Sequence, residues 1–170
     1  MKTYALAVAD GSFFKTMKEG IKIKGKIKFE IRDENGKVKD KWTVYNSVMN
    51  LGFAELANLA GNVSSPAYFT YLALGTDATA VAPTQTALVA EITDTGLARH
   101  SATVSRVTTT QTNDTLQLAY TWTASGAKTI NEIGIFNNSS TGIMLARALT
   151  GAKVLGNLYT FSCTYQVKFS

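Results

Sequence analysis

From residue 21 onward the chain alternates. Ile21, Ile23, Ile27, Phe29 and Ile31 take odd positions, while Lys22, Lys24, Lys26, Lys28, Glu30 and Arg32 take even ones. A period of two over that length predicts a strand with one buried and one wet face, because successive side chains leave a strand on opposite sides. Asp33-Glu34-Asn35-Gly36-Lys37 follows, and Asn-Gly supplies the positive φ angles of a tight primed turn. Val38, Trp42 and Val44 on one parity, against Lys39, Lys41 and Thr43 on the other, predict the returning strand of a hairpin over residues 21–45. Lys22, Lys24, Lys26 and Lys28 give that hairpin a basic outer face, a candidate partner-contact surface. Lysines on the outer face of the two strands, Lys39 and Lys41 among them, would also discourage edge-to-edge pairing with another copy.

The period then changes. Met49, Phe53, Leu56 and Ala60 are spaced to share one side of a helix over about residues 47–60. Ser47 is the expected N-cap and Gly61 the expected left-handed terminator. Gly52 weakens such a helix by about 1 kcal/mol relative to alanine, and Leu51 falls off its main face. The helix is expected to lie across the end of a sandwich. After the loop at Asn62–Pro66, Tyr68–Leu74 reads as a buried strand ended by Gly75, and Thr76–Gln85 as a surface loop. Residues 86–92 fit either a helical turn or a strand.

The rest is β in character and rich in threonine, which suits a pleated, half-buried surface. Strands are expected at Arg99–Thr109, Thr115–Thr123, Thr129–Phe136, Ile143–Leu149 and Tyr159–Phe169, with turns at Thr112–Asp114 and Asn137–Gly142. Leu116, Leu118, Tyr120 and Trp122 face one way, and the last strand is pinned into the core to its end. The expected fold is mainly β, an antiparallel β-sandwich or jelly-roll-like domain with one short α-helix. Residues 1–20 show neither period and read as an arm or loosely docked segment; residues 21–170 form the single domain, with its strands after the helix at 68–169.

Composition narrows the picture. The chain has 170 residues, 45% of them hydrophobic, enough for a continuous core. The net charge of +5 is uneven: residues 1–41 hold eleven Lys and Arg against six Asp and Glu, and the remainder holds six of each. No run reaches the roughly 18 apolar residues that cross a bilayer, so no membrane insertion is expected. Tyr4–Ala9 imitates a signal h-region but is too short and closes at Asp10. Cys163, the single cysteine, alternates with Tyr and Phe and reads as a small buried hydrophobe. Trp42 and Trp122 are in phase with Val and Leu, which suits core anchors.

Candidate chemistry is sparse. His100 is the only histidine, and no nucleophile elbow, phosphate loop or calcium loop occurs. Carboxylates after the hairpin come singly, among them Glu55, Glu91, Asp94, Asp114 and Glu132. A glycosidase needs two of them about 5–10 Å apart, and whether Glu91 meets Glu132 is not legible. The bland reading is that each pairs with a nearby arginine or caps a turn. No catalytic, cofactor-binding or metal-binding residue is assigned, and the expectation is a non-enzymatic protein without cofactors.

Four segments carry a resemblance. Asn46-Ser47-Val48-Met49-Asn50-Leu51-Gly52 leads into the helix. Tyr71-Leu72-Ala73-Leu74-Gly75-Thr76 is followed by Thr86-Ala87-Leu88-Val89-Ala90-Glu91-Ile92 and then Arg99. Ile130-Asn131-Glu132-Ile133-Gly134-Ile135-Phe136-Asn137 precedes Gly142-Ile143-Met144-Leu145-Ala146-Arg147-Ala148, and an aromatic strand ends the chain. In this order, over about residues 44–169, they resemble a class of tailed-bacteriophage virion structural proteins that includes tail-fibre, baseplate-associated and head-decoration components. The resemblance implies a subunit of the virion, made in the host cytoplasm, that contacts other virion proteins and forms a homo-oligomer, a trimer or ring. The alternative is a host-receptor or carbohydrate-binding module using the Thr76–Gln85 and Asn137–Gly142 loops. Direct contact with nucleic acid is not expected. Within these motifs Gly134 suggests a bulge or a close approach, and Glu132 with Arg147 is a candidate cross-strand salt bridge.

Overall fold

A computed structural model describes residues 21–170, so the arm expected at 1–20 lies outside the described residues. Strands run at β1 Ile23–Arg32, β2 Val38–Tyr45, β3 Ser47–Val48, β4 Tyr71–Gly75, β5 His100–Ser101, β6 Thr103–Val107, β7 Thr115–Thr123, β8 Lys128–Phe136, β9 Met144–Leu155 and β10 Thr160–Phe169, and one helix, α1, spans Asn50–Gly61. They build two antiparallel five-stranded sheets, β2-β1-β10-β7-β6 (sheet A) and β3-β9-β8-β4-β5 (sheet B). Among the described residues the fold is a β-sandwich with one short helix, as the alternation predicts.

The inner faces bury one continuous core. Ile27, Phe29 and Ile31 of β1, Trp122 of β7 and Phe161, Tyr165 and Val167 of β10 meet Leu72, Leu74, Ile133, Ile135, Ala146 and Ala148 of sheet B. Phe161 lies 5.2 Å from Phe29 and 5.9 Å from Trp122, ring centre to ring centre, near the middle of the aromatic layer. Cys163 is buried in the same layer, and burial pushes its thiol well above its ordinary pKa. β10 is the central strand of sheet A, paired along its length with β1 and β7.

Two places where the chain continues straight on join the sheets. β2 passes through Asn46 into β3, leaving sheet A for sheet B, and β5 passes through Ala102 into β6, going the other way. The single strand expected over Arg99–Thr109 is thus two strands in different sheets. Such corners are how a two-sheet core closes its sides.

Several local expectations are corrected. The β1–β2 turn is not the primed type: only Gly36 has positive φ, at 78°, and Asn35 does not. Asp33 organises it instead, accepting from the Asn35 and Lys37 amides at 3.1 and 2.9 Å. Ile21 is exposed rather than buried, and lies ahead of the start of β1. β1 lies inside its sheet, so its lysines guard no edge; Lys39 and Lys41 of β2 occupy that position. Tyr68 is exposed ahead of a strand that starts at Tyr71, residues 86–92 have no regular structure beyond a Gly75–Glu91 bridge, and β9 runs on to Leu155 through left-handed Gly151 and Ala152.

The helix differs most. Ser47 pairs with Arg147 in β3, so it is not the cap; Met49 stands at that position, and Asn62, not Gly61, is the left-handed residue at the end. The packed side carries Gly52, Glu55, Leu56 and Leu59, while Phe53 and Ala60 face outward. α1 lies on the outer face of sheet B against β9, not across the end of the sandwich. The cause is Gly52: a Cβ there would stand 2.8 Å from Leu145 Cα and closer still to its carbonyl oxygen. Helix and strand backbones touch at this point, and that contact sets the rotation of the helix. Alanine at position 52 should therefore lower stability by roughly 1–3 kcal/mol through overpacking, despite its gain of about 1 kcal/mol in helix propensity. Urea unfolding of Gly52→Ala measures the balance, and a more stable variant would disprove the contact.

Candidate functional site

The outer face of sheet B is a second, smaller apolar layer. Ala73, Phe136 and Met144 project outward and are covered by Met49 ahead of α1 and by Leu88 from the segment after β4. That segment, residues 76–92, is a long irregular loop laid over a sheet. Its polar backbone needs partners, and a buried glutamate–arginine pair supplies three of them, at Thr79, Val89 and Ala90, while a second such pair holds the neighbouring β8–β9 turn.

Glu132 of β8 and Arg147 of β9 are both wholly buried, with Nε 2.6 Å from Oε2. They sit diagonally, because Gly134 is the residue directly opposite Arg147. The Glu132 carboxylate also accepts the amides of Val89 at 3.2 Å and Ala90 at 2.9 Å. Arg147 donates through NH1 to the Thr79 carbonyl and to Gln85 Oε1, each at 3.0 Å. The pair thus holds both halves of the covering loop. Gly75 leaves the room: a Cβ there would lie 2.6 Å from Glu132 Cγ. Gly134 likewise admits Leu88 and Met144, whose side-chain atoms would stand 3.1 and 3.2 Å from a Cβ. The β8–β9 register breaks at Ile130/Glu132 and Ile135/Phe136, so Gly134 is a close approach and not a bulge.

Glu91 and Arg99 form the second pair, bidentate at 2.9 and 2.6 Å. Arg99 also donates to the Asn138 and Thr141 carbonyls at 2.9 and 2.7 Å, and its guanidinium lies 3.7 Å above the Phe136 ring. It therefore fixes the β8–β9 turn. Glu55, buried on α1, accepts from Asn137 at 3.1 Å and ties the helix to the same turn. The other two carboxylates are engaged as well. Asp94 pairs with Lys128 at 2.8 Å. Asp114 accepts from the Thr109, Thr110 and Gln111 amides, each at 2.9 Å, and so organises the β6–β7 turn. Desolvation favours its neutral form, but the Gln111, Thr109 and Thr110 amides outweigh it and hold the carboxyl well below its usual range. His100 is exposed and stacks on Tyr120, centroids 4.1 Å apart. Sequence reasoning proposed Glu132 with Arg147 but missed the Glu55–Asn137 link, because Asn137 read only as a turn residue.

The four lysines of the basic face, Lys22, Lys24, Lys26 and Lys28, are all exposed. Lys22 and Ser170 exchange backbone hydrogen bonds, extending the β1–β10 ladder by a rung. Lys24 lies opposite Lys168, Lys26 lies between Tyr45 and Gln166, and Lys28 between Thr43 and Thr164. At the far end Glu30 contacts Lys41 at 2.6 Å and also Arg32. Its carboxyl is held below the usual range, chiefly by Lys41, which outweighs the opposing effect of desolvation, and further by Arg32. Among the described residues, no group of three or more His, Cys, Asp or Glu could hold a metal ion, and no helix is long and apolar enough to cross a membrane. No protein family, curated protein or solved structure matches the chain.

Two predictions follow from these charges. Arg147→Leu strands a buried carboxylate and should cost about 3–5 kcal/mol, whereas adding Glu132→Leu to it should cost less than the sum of the single changes. A double-mutant cycle by chemical denaturation checks this, and additive effects would refute the coupling. For Asp114 the folded pKa is depressed, so its contribution is present above the unfolded value of about 3.9 and is lost as pH falls through the folded value. Asp114→Asn should lower Tm at neutral pH, with the gap to the parent narrowing in acid. A gap that stays constant down to pH 2, roughly, would contradict the linkage.

Proposed function

We propose that this chain is a non-enzymatic structural subunit of a tailed-phage particle, assembling with copies of itself and with neighbouring tail, baseplate or capsid proteins. The residues that carry the resemblance support this reading by what they do: Gly52, Gly75, Glu91, Arg99, Glu132, Gly134 and Arg147 all serve packing or hold loops in place. One observation bears most directly on assembly. The only charged residue of α1, Glu55, is turned inward, and the outer side of the helix offers Leu51, Phe53, Ala54 and Ala57 to solvent, followed by exposed Val63. Half-exposed Leu51 and Phe53, at 46% and 49%, on a helix with no outward charge suit burial against another subunit.

A second reading, a host-receptor or carbohydrate-binding module, is favoured by the stiffness of the two loops. Arg147 holds Thr79 and Gln85, and Arg99 holds Asn138 and Thr141. Loops fixed beforehand lose less entropy on binding.

Sedimentation velocity of the full chain tests the first reading. A closed trimer or ring is expected, dissociating in Leu51→Lys/Phe53→Lys while circular dichroism stays unchanged. Peptides of the chain are expected in gradient-purified particles released by the cells that encode it. A monomer at every concentration, missing from those particles, would count decisively against it.

A further inference from the structure

β1 carries its cations outward in single file. Lys24, Lys26 and Lys28 are exposed, and alternate residues of a strand recur about every 6.6 Å, so the three mark a line. Two depressions lie along it. One, of about 440 Å³, is bordered by Lys24, Lys26, Tyr45, Gln166 and Lys168. The next, of about 460 Å³, is bordered by Lys28, Glu30, Lys41, Thr43, Ser162 and Thr164. From Lys24 to Glu30 this track is about 20 Å long. Glu30, the acid at its end, already lies between Lys41 and Arg32.

We infer that this face binds a linear acidic polysaccharide, with carboxylates of the polymer on the lysine file and sugar hydroxyls on the flanking Thr, Ser and Gln side chains. The lysines supply an unopposed row of positive charge that attracts a polyanion from a distance. The neighbouring rows supply groups that both donate and accept: Ser162 is held by Thr121 at 2.8 Å, and Gln166 by Gln117 at 2.8 Å. These positions are fixed by the sheet, so little order is lost on binding. Two other polyanions fit less well. A single nucleic-acid strand asks for several aromatic faces on which bases stack, and Tyr45 is the one aromatic residue among the outward positions of β1, β2, β10 and β7. An acidic protein asks for aromatic anchors at a dry centre with few lysines, the reverse of this surface. The track is built within one chain, so it stands or falls separately from subunit assembly.

Titration calorimetry of the full chain at low salt, with oligogalacturonate, hyaluronate and heparin as probes, decides the matter. Binding of at least one probe is expected, weakening as salt is raised, and weakening about tenfold or more in Lys24→Ala/Lys26→Ala/Lys28→Ala. A control of equal net charge, Lys37→Ala/Lys39→Ala/Arg106→Ala, should bind as the parent does. The inference is overturned if none of the three probes binds, if the control loses as much as the track variant, or if poly(dT) binds more tightly than every polysaccharide through the same lysines.

Discussion

The segment that covers the outer side of sheet B depends on two charges that have no contact with water. A long irregular segment, residues 76–92, lies across a sheet whose other face is already in the core, and its backbone joins a ladder only briefly, at the Gly75–Glu91 bridge. Beyond that bridge Glu132 and Arg147 hold it down. One offers oxygens to Val89 and Ala90, the other offers N–H groups to Thr79 and Gln85, and each cancels the charge of its partner. Burying either ion alone is costly. Together, in a cleft that Gly75 keeps open, they allow an apolar layer of Ala73, Leu88, Phe136 and Met144 to form without orphaned backbone.

The same logic explains the sizes of residues at the contacts. Gly52, Gly75 and Gly134 sit where a strand backbone, a carboxylate and a group of apolar side chains, respectively, crowd the place of a β-carbon. None of the three adopts a left-handed conformation. Their glycines are there for space, which is a packing requirement and not a turn requirement.

Much of the sandwich was legible because its long strands obey a strict period of two. β1, β7, β8 and β10 fall within a residue or two of their expected limits, and the aromatic face of β10 lies where alternation places it. What could not be read was tertiary in origin. The rotation of α1 is set by a backbone contact with Leu145, so a spacing rule that favours large side chains chose Phe53 over Gly52. The split of the expected 99–109 strand follows from Ala102 turning a corner between sheets, and nothing in Ser101-Ala102-Thr103 marks it. Glu132 and Arg147 could be suggested as a pair from the turn that joins their strands, but the loop they hold could not, since all its anchors but the Gln85 side chain are backbone groups. The lysine file was visible at once; its position inside a sheet, with hydroxyl and amide rows beside it, was not.

The rung between Lys22 and Ser170 has a mechanical meaning. β1 and β10 are antiparallel, and these residues sit at the same end of their shared ladder. Tension entering through one and leaving through the other would open the pairs in succession, like a zip, so that each bond bears the load alone. A molecule under pull in that geometry yields at small force. If it must carry load between neighbours, that load is better taken through side-chain surfaces on the flanks than through Lys22 and Ser170.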